Sequence, residues 1–341
     1  MKTTTITATI AALFAQLAFA APVDNLDARA FDEMERRAAS APVERGFTET
    51  TVEERASNWV TNGPAPPMAM DVASTWATLA RYQSCVRAGY AWSCADCNLL
   101  GGSSKNTVLM TGGDDGATPV HYVVNNGSHL IIGIRGTNSN DPASLANDVN
   151  FVLVTPSETY YPGIKAAGGM VHAGFYGATT RVAASLAPTV QAAVQGGTTN
   201  VIVLGHSLGG AVGQMLGVYL TSLLGSSATV YVRTFAPARV GNPAWADYVD
   251  ATMGERSQHM VNFNDPVPHL PPLAWGFRHS GNEVFLDKLG SLDPLVCSGQ
   301  ENSHCADKYE EPLNWLASIV QYVDSEVHMG PYVGVTLRGN C

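Results

Sequence analysis

Apolar and polar positions along the chain fall into two alternating periods. Val72, Trp76, Leu79 and Ala80 recur at helical spacing and predict a helix within Met68 to Tyr90. A loop carrying cysteines follows. Val120 to Val124 and His129 to Ile134 then read as two strands, and the intervening Asn125-Asn126-Gly127-Ser128 predicts a hairpin with a type I′ turn. Beyond it, helical patterns over His172 to Gln195, Ser207 to Leu224 and Pro243 to Met253 alternate with β-branched runs at Val201 to Leu204, Val230 to Phe235 and His259 to Phe263. Such alternation predicts a mostly parallel central sheet flanked by helices, the α/β class.

The termini alter the domain count. Met1-Lys2, an apolar run from Ile6 and the small-residue site Ala18-Phe19-Ala20 read as a secretory signal peptide over residues 1–20. The run is too short for a good membrane span. From Ala21 to about Asn58 the chain is charged and poor in aromatics, which fits a cleavable pro-segment with Arg36-Arg37 as a dibasic processing point; a surface helix opening the domain is the alternative. One catalytic domain is therefore expected over residues 59–341. The formal net charge is −10 with no Lys/Arg cluster, so nucleic acid is excluded as a partner. Six cysteines, all beyond the pro-segment of a chain addressed to an oxidising compartment, point to disulfides, with pairing left open. Asn126-Gly127-Ser128 is also a glycosylation sequon.

The chemistry concentrates at Gly205-His206-Ser207-Leu208-Gly209, where an apolar strand runs into a helical pattern. This is the signature of a nucleophile elbow, a sharp strand-to-helix turn that lifts a serine hydroxyl out of the sheet and leaves it at a helix N-terminus. A hydroxyl needs a base to take its proton and a carboxylate to orient that base. In hydrolases of this architecture the order is Ser, then Asp or Glu, then His. Asp265, held extended by Pro266 at a strand end, competes with Asp287 and Asp293. Among later histidines, His304 sits inside a short Cys297 to Cys305 span and His269 lies too close in sequence to Asp265. His279 and His328 remain, with His328 favoured because it follows a helical run, Leu313 to Val323, and leads into Tyr332 to Val335 as a loop residue before a final sheet strand would.

Several motifs in order carry a resemblance: Ile134-Arg135-Gly136-Thr137, Val171-His172-Ala173-Gly174-Phe175, Gly205 to Gly210, Ala238-Arg239-Val240-Gly241-Asn242-Pro243, Asn264-Asp265-Pro266-Val267-Pro268 and His328. Over about Trp76 to Cys341 the chain resembles the fungal class 3 lipases, triacylglycerol lipases of filamentous fungi among which a feruloyl esterase also falls. The resemblance implies an α/β-hydrolase fold and a triad of Ser207, Asp265 and His328. It implies oxyanion donors from Thr137 and the Leu208 N–H. It also implies bridges Cys94–Cys97, Cys297–Cys305 and Cys85–Cys341, and structural roles for His172 and His206.

In these lipases a short amphipathic helix covers the site. Here Asn138 to Asn150 takes that place, with Asp141 as N-cap, Pro142 preset for the first turn, and Pro142, Leu145, Ala146 and Val149 on one face. Its apolar face has one large residue, Leu145, so strong activation at a lipid surface is not expected. The reading is a secreted serine carboxylic-ester hydrolase acting on acylglycerols, meeting a lipid–water interface transiently, monomeric, and needing no metal or cofactor. A feruloyl or other soluble-ester hydrolase, or a non-catalytic lipid-binding protein of the same fold, are the alternatives.

Overall fold

The computed structural model describes residues 65, 68, 70–137, 151–309 and 326–338. The expected signal peptide, pro-segment, lid residues Asp141, Pro142, Leu145, Ala146 and Val149, the helical run Leu313 to Val323, and Cys341 lie outside them.

Among the described residues the chain runs through helix α1 (Met70–Ser84), short helices α2 (Ala95–Leu99) and α3 (Gly102–Lys105), then strands β1 (Thr107–Gly112), β2 (His121–Asn125) and β3 (Leu130–Ile134). A two-stranded ribbon of β4 (Leu153–Val154) and β5 (Val171–His172) precedes α4 (Ala173–Gln195). The second half alternates: β6 (Asn200–His206), α5 (Leu208–Leu224), β7 (Thr229–Phe235), α6 (Pro243–Met253), β8 (Ser257–Asn262), then β9 (Glu283–Leu286), β10 (Leu295–Val296) and a last short helix, α7 (Glu326–Met329). The eight-stranded sheet has the order β1-β2-β3-β6-β7-β8-β9-β10. Strands β3 to β9 in that order pair in parallel, while β1, β2 and β10 close the edges antiparallel. This is the α/β-hydrolase arrangement.

Local chemistry explains the central elements. Every residue of β3 is buried, and β6 is buried at five of its seven positions, as expected for strands covered on both faces. Helix α5 is apolar nearly all round and is buried from Leu208 through Leu220, sandwiched against β6, β7 and α4. Helix α6 starts where Asn242 accepts a hydrogen bond from Trp245 N–H and Pro243 occupies the first turn. Under the sheet's C-terminal edge Trp76 packs edge-on against Phe235 at 5.4 Å, and Phe235 against Tyr332 at 5.3 Å. That stack ties α1, β7 and the C-terminal segment into one core.

Four expectations are corrected. Asn126 and Gly127 do not form a type I′ turn: only Gly127 has positive φ, and β2 and β3 are joined through residues 126–129, with the Asn126 side-chain oxygen accepting from the N–H groups of Ser128 and His129. The Asn126 amide nitrogen points inward to the Tyr82 hydroxyl. The disulfide Cys297–Cys305 is present, but Cys85 is joined to Cys97, so neither Cys94–Cys97 nor Cys85–Cys341 is the pairing; the Cys94 sulfur, itself disulfide-bonded, lies 2.6 Å from that of Cys97. The short loop between α1 and α2 brings all three sulfurs together, which spacing alone could not resolve. Tyr332 to Val335 adds no sheet strand, because Tyr332 and Val335 bridge each other across a tight turn. Finally, β1, β9 and β10 extend the sheet at both edges beyond the strands read from the pattern.

Candidate active site

Ser207 sits between β6 and α5 with φ 59° and ψ −131°, a conformation normally left to glycine and costing about 1–3 kcal/mol. Neighbours hold it there. Its N–H donates to the Phe235 carbonyl at 3.0 Å, extending the β6–β7 pairing by one residue, and its carbonyl accepts from Gly210 N–H at 2.8 Å. The turn is tight enough that a Cβ on Gly205 would lie 1.9 Å from the Gly209 carbonyl oxygen, and one on Gly209 would lie 2.4 Å from the carbonyl oxygens of Ile134 and Arg135. The end of β3 therefore presses against the first turn of α5, bringing Arg135-Gly136-Thr137 alongside Ser207. Leu208 opens α5, where the first N–H groups lack intrahelical acceptors.

Asp265 follows β8 and is fully buried. Its N–H donates to the Asn262 carbonyl at 3.1 Å and its Oδ1 accepts from Val267 N–H at 3.0 Å, which fixes the carboxylate. The other oxygen, Oδ2, lies 2.8 Å from Nδ1 of His328, on α7 and also fully buried. Ser207 and His328 line the same open cavity, together with Thr137 and His206.

Three side chains at the sheet's edge pin the backbone around His328. Asn262 Nδ2 donates to the Val327 carbonyl at 2.7 Å, the Tyr332 hydroxyl donates to the His328 carbonyl at 2.7 Å, and His206 Nε2 lies 2.8 Å from that same carbonyl. Burial, reinforced by His328 beside it, pushes the His206 pKa well below the ordinary imidazole value, so a neutral ring donates this bond. His206 thus has a specific structural job, set by its place before the serine. Reading the sequence missed Asn262 and Tyr332, since neither neighbours a reactive residue along the chain.

The competing residues lie elsewhere. His279 stacks on His259 at 4.8 Å and its Nε2 lies 2.8 Å from the Pro268 carbonyl. His269 is buried, His304 is exposed on the disulfide loop, and Asp287 and Asp293 are exposed. None of them lines the cavity that holds Ser207. His172 caps α4, its Nδ1 accepting from Phe175 N–H at 3.3 Å.

The loop bearing Asp265 is anchored from β7. Arg239, fully buried, grips both carboxylate oxygens of Glu301 at 2.9 Å and donates through Nη1 to the carbonyls of His269 at 2.6 Å and Pro271 at 3.2 Å. Burial alone would raise the Glu301 pKa, but the hydrogen bonds and charge of Arg239, with the His279 N–H, bring it down to about 2.

A strand, an elbow serine, an acid after the next-but-one strand and a C-terminal histidine in this order have counterparts among known proteins. The profile of the family described as Lipase (class 3) matches residues 131–275. A secreted mono- and diacylglycerol lipase of Malassezia globosa is 30% identical over 296 residues, covering 85% of this chain and 90% of that protein. The chain belongs to the class 3 lipase family. A lipase of Rhizomucor miehei is 37% identical over 164 residues, 47% of this chain and 43% of its own. Among solved structures, lipase II from Rhizopus niveus aligns with a TM-score of 0.63 at 26% identity, over 80% of this chain and 100% of that one. As a class 3 lipase this protein is a serine ester hydrolase. No helix among its described residues is long and apolar enough to cross a membrane.

Proposed function

We propose that Ser207, His328 and Asp265 are the nucleophile, base and orienting acid of a secreted acylglycerol lipase, and that its substrates are mono- and diacylglycerols and other partly soluble esters. The observation carrying this reading is the elbow itself: a serine in a strained turn, sharing a cavity with a histidine whose far nitrogen is held by a buried aspartate. Ser207 Oγ attacks the ester carbonyl as His328 Nε2 takes its proton, and Asp265 holds the Nδ1–H and steadies the imidazolium. The N–H groups of Thr137 and Leu208 receive the developing oxyanion, each donor of this kind adding about a hundred- to a thousandfold in rate. His328 returns the proton to the leaving alcohol, and water then releases the acid by the same steps in reverse.

Secretion is supported by the leader-like residues 1–20 and by the secreted Malassezia relative. Preference for partial glycerides is supported by that relative's name, by the polar lining around Ser207, and by the single bulky residue, Leu145, in the expected lid segment. The segment of residues 21–58 is proposed as a pro-segment, and the active species as a monomer acting briefly at lipid surfaces.

A long-chain phosphonate ester should label Ser207, with no label in Ser207→Ala, and His328→Ala should lose turnover that His279→Ala keeps. Label on another serine, or a dead His279 variant beside an active His328 variant, overturns the assignment. Methyl ferulate outpacing mono-olein would move the substrate class to the aromatic esters.

A further inference from the structure

Arginines gather at the cavity that holds Ser207. Three arginines line it, Arg87 just after α1, Arg135 before the oxyanion residue and Arg338 near the C-terminus, and among the described residues no aspartate or glutamate does. This stands against a chain whose formal net charge is −10. Two of the guanidiniums are held in place from behind: Asp115, outside the lining, binds Arg87 Nη2 at 3.0 Å through one oxygen and Arg135 Nη1 through the other. One carboxylate serves both. Two guanidiniums joined through one carboxylate, with a third arginine lining the same cavity, supply the planar donor forks that recognise an oxyanion with several acceptor atoms.

The side of the reacting ester that meets this wall follows from the mechanism. The leaving oxygen must receive its proton from His328, so the leaving alcohol lies next to His328 as the acyl-enzyme forms. Beside His328, the same cavity is walled by Met329, Leu337 and Arg338 from the segment that follows it. Resting on the triad assignment above, we infer that the leaving-group subsite of this lipase recognises an anionic group on the alcohol, a phosphate on glycerol, with Arg338 as the specificity-determining residue. The reaction balances as ordinary hydrolysis: acylglycerol phosphate and water give a carboxylic acid and glycerol phosphate, the leaving oxygen taking its proton from His328.

The test uses the full chain and dissolved esters below their aggregation limits: 1-octanoylglycerol, 1-octanoylglycerol 3-phosphate, and the glycerol monoester of octanedioic acid, which carries its anion on the acyl side. The phosphate ester should show a kcat/KM about tenfold above the neutral ester at low ionic strength, the acyl-side carboxylate should gain nothing, and added salt should shrink the preference. In Arg338→Ala the ratio of phosphate to neutral ester should fall about tenfold, and Arg338→Lys should keep part of it. Equal rates on the phosphate and neutral esters, a preference for the acyl-side anion, or an equal loss on all substrates in Arg338→Ala would each overturn the inference while leaving the triad intact. Hydrolysis of these esters surviving in Ser207→Ala would instead overturn the triad reading.

Discussion

Replacing Arg239 with methionine keeps much of the side-chain volume and removes the only guanidinium bonded to Glu301 in the described structure. Glu301 is lowered from 4.5 to about 2, a shift that converts at about 1.4 kcal/mol per unit to roughly 3 kcal/mol. Breaking a buried pair from one side costs about 3–5 kcal/mol by comparison, because the remaining charge is left without compensation. The two figures agree in scale. Since the folded pKa is depressed, this stability is fully present above 4.5 and drains away as pH falls toward 2. Without Arg239 the carboxyl should behave more like Glu283, which burial, opposed by the Ala306 N–H, raises to about 8. The variant should therefore be least stable relative to wild type near neutrality. Calorimetric melting should show a deficit on the order of 10 °C at pH 7, shrinking to about a third of that near pH 3. Adding Glu301→Gln to the variant should restore most of the loss at pH 7, because the stranded charge is gone. A melting deficit independent of pH, or no recovery in the double variant, would mean that Arg239 acts through packing and its bonds to the His269 and Pro271 carbonyls, and the charge argument would fail.

Gly209→Ala should abolish activity and lower the melting temperature, since its Cβ would meet two rigid backbone oxygens at 2.4 Å; a folded, active variant would show that β3 and α5 can separate cheaply. Asp250, raised from 3.8 to about 7 by burial against the opposing hydrogen bonds of Gln300 and the Gly281 N–H, favours the folded state more when protonated. Stability attributable to it should thus decline as pH climbs from about 4 to 7, and the melting difference between wild type and Asp250→Asn should move against wild type over that window; a flat difference would refute the raised pKa.

Reading the chain alone went furthest where neighbours in sequence set the outcome. Asn242-Pro243 marks the start of α6 because a cap and a preset φ act within one turn, and the helix ends at Met253 as the pattern implied. Val201 to Leu204 could be read as a covered strand, and Gly205 to Gly209 as a turn, because β-branched runs and paired glycines restrict the local backbone directly. The edge strands escaped for the opposite reason: β1 is exposed or half-buried throughout, with no buried face to mark it, and β9 begins on a buried glutamate. They exist because neighbouring strands offer them partners.

What the sequence by itself determined was the type and order of the central elements, the strained position of Ser207, and a short set of acids and histidines in an order compatible with its chemistry. It could not rank those partners by contact, pair three cysteines lying within thirteen residues, or foresee that Arg87, Arg135 and Arg338 line one cavity. Those outcomes depend on residues tens to hundreds of positions apart meeting at one sheet edge. Only the packing of α1, β3 and the C-terminal segment around Phe235 and Tyr332 brings them within reach, and it is over such short distances that hydrogen bonds and charges act.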